Sequence, residues 1–442
     1  MAYATAAAQS QSAYFLDNYT YGYQMNPAHA IERKVDFSVP ALGNLNLSTF
    51  GNVGLKNFIY NIDGKTVTFM HPDVSTSEFM KGIKNNNRLG TTDRVGIMNV
   101  GFKGLGGYNH VSINTVVNTQ ARVPKDIFSF LKEGASNRTY HIGNIDAHAD
   151  AYAEIALNHS HSLDNVVKGL RIGGTFKFLV GIGNVDINLD KADLELGENA
   201  WTATTAGASR VSLKNFSYKT RYDDVSNRNY VDGIDYSKFS APNGYGVALD
   251  LGASYRMSQD WDFALSFTDI GFINWSNDMV ATTNGNRTFT TADHSLDITD
   301  SDVDSSWEPI RKDLTGLYQL DDMGDQGSRC RALEATMYAS ARYTLHAYRG
   351  LTFGLLNVTR MAHRYAWTEF RLSAQVTPVK WFSAGINYGV GTFGSSFGWI
   401  LNIAPKGFNL FVGMDHTLGK LSKQYIPLNS NSQLSFGVNF PI

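Results

Sequence analysis

Between Phe408 and Phe440 the chain alternates apolar with small or polar residues. Phe408, Leu410, Val412 and Met414 fall on one parity, and Asn409, Gly413 and Asp415 on the other. After a polar connection, Leu434, Phe436, Val438 and Phe440 alternate with Ser435, Gly437 and Asn439. A period of two gives a strand one apolar and one polar face. Residues 381–405 carry no charge over a length that could cross a bilayer as a helix. Within that stretch, however, Phe382, Ala384, Ile386, Tyr388 and Val390, then Phe397, Trp399, Leu401 and Ile403, recur at every second position around a Gly391–Ser396 turn. Its five glycines weaken a helix but suit a hairpin. The pattern predicts an all-β fold, a transmembrane antiparallel β-barrel with apolar side chains toward lipid and polar ones toward the lumen.

Strands are expected near 244–257, 260–276, 333–346, 350–361, 364–378, 381–392, 395–404, 407–416 and 432–440. Their connections alternate in length. With the C-terminal end in the periplasm, Arg256–Asp260, His346–Arg349, Pro378–Lys380 and Ala404–Gly407 are short periplasmic turns, and the long segments near 218–243 and 277–332 are extracellular, the asymmetry of outer-membrane barrels. Upstream, Val111, Ile113, Thr115 and Val117 alternate after a Gly104–Gly107 turn, as do Ala151, Ala153, Ile155 and Leu157, then Ile172, Gly174, Phe176, Phe178 and Val180. Ile127, Phe128 and Leu131 predict a short amphipathic helix over 124–134, and 184–217 is read as two more strands. The total is about fourteen, within a range of twelve to sixteen. One parity conflict stands out: Trp261, Phe263, Leu265 and Phe267 face lipid, yet Asp269 continues the same face. A bulge over Asp269–Gly271, or a place near the interface, would resolve it; Trp261 and Trp275 are then expected in opposite aromatic girdles.

Composition agrees. The 442 residues include 41 glycines and one cysteine, so no intramolecular disulfide forms, and a net charge of −2 argues against nucleic acid as a partner. Mean hydropathy slightly below zero suits a barrel whose strands are half polar. Residues 1–8 read as the remnant of a signal peptide, with Ala4–Gln9 as its small-residue end. Residues 9–60 are expected to form a hatch or the first strand, since Val35, Phe37, Val39, Leu45 and Leu47 could serve either, and 61–442 the barrel.

Candidate chemistry is sparse. His159 and His161 would share a strand face, with His141 and His148 upstream, but they lead into a turn and are read as solvated. Asp300, Asp302 and Asp304 have the odd spacing of a calcium loop, yet Ser305 and Arg311 stand where glycine and glutamate are needed. Gly104–Gly107 sits in a hairpin turn, not between strand and helix, so it is not a phosphate loop. Cys330 is read as incidental. No catalytic, cofactor-binding or metal residue is assigned, no cofactor is expected, and the chain is read as a non-enzyme.

Several short motifs carry a likeness in their order along the chain. They are Ser12-Ala13-Tyr14-Phe15-Leu16-Asp17, Asn26-Pro27-Ala28, Pro40-Ala41-Leu42-Gly43-Asn44, Asp250-Leu251-Gly252-Ala253-Ser254-Tyr255-Arg256, Ser266-Phe267-Thr268-Asp269-Ile270-Gly271, Phe397-Gly398-Trp399 and Pro405-Lys406-Gly407-Phe408-Asn409. Across essentially its whole length the chain resembles the FadL and PorV class of barrels, and more closely an uncharacterised family of Bacteroidota outer-membrane proteins. It departs from the usual barrel ending, since Pro441 and Ile442 follow Phe440. The resemblance implies a cell outer-membrane barrel of about fourteen strands whose N-terminal segment plugs the lumen. The expected function is binding or transport of a small hydrophobic ligand, as in FadL-like proteins. The alternative is a structural or assembly partner in an envelope protein complex, as in PorV-like proteins. Outer-membrane lipid is a partner in either case.

Overall fold

A computed structural model describes residues 10–31, 33–54, 57–134, 137–197, 200–223, 228–236, 240–290, 319–361, 366–392, 394–416 and 431–442. The first wall strand is broken in two, β1 (Val35–Ser38) and β2 (Leu45–Gly51), on either side of a Pro40–Asn44 step in which Ala41 has φ +61°. A hairpin, β3 (Ile59–Ile62) and β4 (Lys65–Thr68), and helix α1 (Thr76–Phe79) follow. The wall continues through β5 (Asn86–Gly104) and β6 (Gly107–Pro124), helix α2 (Lys125–Glu133), the short strand β7 (Thr139–His141), and then β8 (Ile145–Ser162) and β9 (Leu170–Leu196). Next come β10 (Ala200–Leu213), β11 (Phe216–Asp223), β12 (Arg228–Tyr236), β13 (Gly244–Arg256), β14 (Trp261–Trp275), β15 (Asp278–Thr290), β16 (Asp321–Asp325) and β17 (Arg329–Ala332). The chain closes with β18 (Ala335–Thr344), β19 (Leu351–Met361), β20 (Trp367–Val379), β21 (Phe382–Gly391), β22 (Gly394–Ile403), β23 (Asn409–His416) and β24 (Ser432–Pro441).

Counting β1 with β2 as one, fourteen antiparallel strands form a closed wall in the order β1/β2, β5, β6, β8, β9, β13, β14 and β18 to β24. Closure is made by β24, which pairs Phe440 with Phe37 and Phe436 with Leu45. Closing the sheet leaves no unpaired edge along the barrel wall. Leu157, Phe176, Leu251, Leu265, Leu355, Leu372, Ile386 and Leu434 are exposed on the outer face, while Asn114, Glu154, Lys177, Ser266, Asn387 and Asn439 are buried on the inner one. No described helix is long and apolar enough to cross a membrane.

The β5–β6, β8–β9, β13–β14, β18–β19, β20–β21 and β22–β23 turns lie at one end, with Val35 and Ile442; we call this the terminal end and the opposite one, which holds the tight β21–β22 turn, the distal end. The longer connections all emerge distally. In the described parts of 218–243 and 277–332 these are not loops but further sheet, β11, β12 and β15 to β17. Residues 184–217 hold two strand stretches, the outer half of β9 and β10, but the first continues an existing strand and is not a new one. β9 runs on for 27 residues, pairing with β13 up to Gly181 and with β10 from Gly183 onward, so its outer half leaves the barrel. The sheet continues from β10 through β15, β16 and β12 to β11. The acidic candidates Asp300, Asp302 and Asp304, with Ser305 and Arg311, and residues 1–8, expected to be a signal-peptide remnant, lie outside the described residues. α2 forms as predicted, and its Phe128 joins Phe58, Phe69 and Phe79 from the β2–β5 connection in an apolar cap over the distal mouth.

The parity conflict on β14 is resolved by a bulge. The β13–β14 register shifts between Leu249 and Leu251, and Asp269 takes φ +60° while its amide donates to Asp250 Oδ1 at 2.7 Å. Two residues then oppose one, and the faces exchange. Trp261, Phe263 and Leu265 point outward before the bulge, Ile270 and Phe272 after it. Trp275 is therefore not a girdle residue. It points inward, 1% exposed, and packs with Val116, Tyr152, Leu179, Ala248 and Ile273.

Candidate functional site

Residues 10–31 lie inside the barrel as a hatch. Two 3-10 turns, Gln11–Ala13 and Thr20–Gln24, shape the segment. Tyr19, Tyr21, Tyr23 and Met25 are almost fully buried, packed with Tyr338, Leu356, Val358, Trp367, Ile400 and Phe411 of the wall. Tyr19 meets Phe411 edge to face at 5.0 Å, and Tyr23 stacks on His110 at 3.9 Å. Each buried hydroxyl needs a partner: Tyr21 donates to Asn439 Oδ1 at 2.7 Å and Tyr23 to Asn99 Oδ1 at 3.0 Å.

Both ends of the hatch are seated on specific wall groups. At the first, the Asp415 carboxylate accepts the amides of Gln11 and Ser12 at 2.7 and 2.6 Å. The fully buried Arg371 donates to Gln11 Oε1 at 3.1 Å and to the Asp415 carbonyl at 3.0 Å, and contacts Glu369 and Asn387. Asn387 in turn donates to Ser12 Oγ at 2.8 Å. At the second end Asn26 Oδ1 accepts the Ala28 amide at 3.0 Å, an Asx turn, and Asn158 donates to the Pro27 carbonyl at 3.2 Å. Glycine makes this approach possible: a β-carbon at Gly173 would collide with Pro27 O, and one at Gly252 with Asn26 Oδ1. Gly354 and Gly398 likewise leave room for Phe15 and Ser12. Most of the motifs that carried the likeness thus belong to one structure, the hatch and its seat.

Beyond the hatch a charged belt crosses the lumen. Lys177 Nζ lies 2.6 Å from Asp269, 2.9 Å from Asp250 and 3.5 Å from Glu154, and Arg94 reaches Glu154 at 2.7 Å. More distally, His148 is held between Asp150 (3.1 Å) and Asp186 (2.9 Å), and Arg360 pairs with Glu334 at 2.5 Å. His148 is a lumen group, then, while His159 faces Asn109 at 2.9 Å with His161 beside it near the terminal end, and His141 pairs with Asp193 on the distal sheet. The structure does not bring these four histidines together, and among the described residues no cluster with metal-binding composition occurs. Cys330 is exposed on β17.

Three cavities flank this plug. A distal one of about 40 Å³ is lined by Val116, Tyr152, Leu333, Tyr338 and Trp367 together with the paired charges. A second, of about 460 Å³, lies beside the hatch between Tyr14, Phe15, His29, Ser340 and Arg342. A third, of about 1260 Å³, opens at the terminal end. On β18 the distal cavity touches Thr336 and Tyr338, and the second begins at Ser340. Between them stands Tyr338, stacked on Tyr14 of the hatch with centroids 6.3 Å apart. Tyr14 also accepts a hydrogen bond from Ser340 at 3.1 Å, and burial raises its hydroxyl above the ordinary tyrosine value, so it stays neutral.

Residues 27–415 match the model of DUF5723, a family of unknown function. The chain belongs to this family. No curated protein matches the sequence. Among solved structures, this DUF5723 member is similar to the toluene transporter TbuX of Ralstonia pickettii at 8% identity, over 96% of this chain and 93% of that one, with a TM-score of 0.45. It is also similar to a FadL homologue of Pseudomonas aeruginosa at 8% identity, over 100% of each chain, again with a TM-score of 0.45. For the toluene transporter TodX of Pseudomonas putida the identity is 8%, over 94% and 91% of the two chains, with a TM-score of 0.38.

Proposed function

We propose that the protein is an outer-membrane barrel that passes a small hydrophobic solute along the inner face of β18, with the hatch as its gate. One observation carries the reading: the cavities on either side of the plug meet on β18 and are parted there by the Tyr14–Tyr338 stack. The charges around the distal cavity are paired with one another, and its lining also presents Val116, Tyr152, Leu333 and Trp367, beside Thr92, Asn118, Ala332 and Thr336. A space of about 40 Å³ holds a few waters and no solute, so passage requires the stack to open. The short terminal turns face the periplasm in this reading, as in outer-membrane barrels generally.

The test is uptake of the hydrophobic dye 1-N-phenylnaphthylamine by intact cells expressing the protein. Expression is expected to raise uptake, and Tyr14→Ala to raise it several-fold further, because an open septum removes the step. No uptake by either would defeat the proposal.

A second reading, a docking partner for another envelope protein, is favoured by the sheet that leaves the barrel beyond Gly183 and ends at β11, which pairs with β12 alone among the described strands. Copurification of a stoichiometric partner, lost on deleting β11 and β12, would support it. Dye uptake that survives the same deletion would support transport.

A further inference from the structure

We propose that the vestibule at the terminal end is a docking site for an extended acidic segment of another protein. Its lining carries four cations, Lys103, Lys168, Arg171 and Arg256, against two carboxylates, Asp164 and Asp262. Arg256 is neutralised by Asp262 at 2.9 Å, which also takes Arg342 at 3.3 Å. Asp164 is occupied as the acceptor of Ser162 Oγ at 2.6 Å and the Gly169 amide at 2.7 Å. No carboxylate among the described residues lies within ion-pair distance of Lys103, Lys168 or Arg171, and Arg171 has only the Ser160 hydroxyl, at 3.3 Å. Three cations share one nearby carboxylate, Asp164, which pairs with none of them at ion-pair distance, so the surface keeps an excess of positive charge and gains from an anionic partner.

A second observation points the same way. Tyr108 lines the vestibule and is 2% exposed, and its buried hydroxyl has no hydrogen-bond partner among the described residues. A buried hydroxyl left unpaired costs free energy, which a carboxylate or peptide carbonyl would recover.

Size and surroundings favour a peptide over a small molecule. A space of about 1260 Å³, open on one side, exceeds the ~300–1,000 Å³ usual for small-ligand pockets. Its rim is formed by the β5–β6, β8–β9 and β13–β14 turns, which belong to consecutive wall strands and present Leu105, Val166 and Met257 to solvent. Cations inside and apolar tips around them suit an acidic segment with interspersed apolar residues.

The test uses the full chain in nonionic detergent and a fluorescein-labelled ten-residue peptide of alternating Glu and Ala, read by anisotropy. The acidic peptide is expected to bind, with affinity falling roughly tenfold or more in the double variant Lys103→Glu/Lys168→Glu and falling similarly as salt rises. Heat-modifiable migration on a gel checks that the variant barrel is folded. Equal binding of a Lys-Ala peptide, undiminished binding by the folded variant, or no binding at all would overturn the proposal. So would displacement of the peptide by millimolar octanoate, which would make the vestibule a site for small acids.

Discussion

Replacing Lys177 by methionine is expected to destabilise the barrel by about 3–5 kcal/mol, the usual cost of removing one partner from a buried ion pair. Lys177 is 4% exposed in its side chain and is the nearest cation to Asp250 and Asp269, with Glu154 also in reach. Methionine fills a similar volume, so the loss is electrostatic, and carboxylates left in the lumen have little water to turn to. The effect reaches the bulge as well, because Asp250 also accepts the Asp269 amide that holds the left-handed turn. Urea unfolding in detergent, followed by tryptophan fluorescence, should show the midpoint shift. Adding Asp250→Asn to Lys177→Met should recover part of it, since the two sites are coupled. An unchanged midpoint for Lys177→Met would mean that the belt is solvated and not structural.

Gly173→Val is expected to unseat the hatch while leaving the wall intact. The new β-carbon would meet Pro27 O, a backbone atom on a segment fixed by the Asn26 turn and by Asn158. Overpacking of this kind costs ~1–3 kcal/mol, and each ~1.4 kcal/mol lost from docking lowers hydrogen-exchange protection about tenfold. The amides of Gln11 and Ser12, now held by Asp415, report it. Their protection should fall by about ten- to a hundredfold, while that of β20 to β22 stays the same. If those amides were as protected as in the wild type, Gly173 would not be part of the seat.

How much was legible in the sequence follows from where side-chain contrast exists. The wall strands were visible because lipid on one side and a polar lumen on the other impose a period of two. Trp261, Phe263 and Leu265 even exposed the bulge, through the carboxylate that broke their face. Residues 184–217 were read as strand, but the run of β9 out of the barrel and the further sheet of β11, β12 and β15 to β17 were not visible. Residues such as Thr202, Ala203, Thr204, Thr205 and Ala206 on β10 show no apolar-polar alternation, so nothing in them tells a strand of the barrel wall from one of a sheet outside it. Trp275 was misplaced because the expected bulge was not carried through to the parity of the residues after it.

The hatch was legible only in part. Asn26-Pro27-Ala28 and the later glycine motifs signalled a likeness, but their reason is a contact between residues more than 140 positions apart, such as Pro27 with Gly173. Lys177 stood plainly on the polar parity between Phe176 and Phe178, yet nothing local names Asp250 and Asp269 as its partners. Phe411 breaks the polar face of β23 because Tyr19 and Tyr21 rest on it, a requirement set by the hatch and not by the strand.

The most direct test of the gate is to lock it. Ser12 and Asn387 are joined by a 2.8 Å hydrogen bond across hatch and wall, and replacing both by cysteine in a Cys330→Ser background would allow them to be tethered. Uptake of 1-N-phenylnaphthylamine would be measured on the same cells, oxidised and then reduced. The account predicts uptake lost in the oxidised, tethered protein and restored on reduction; equal uptake in both states, with the disulfide shown to have formed, would contradict a hatch-gated route.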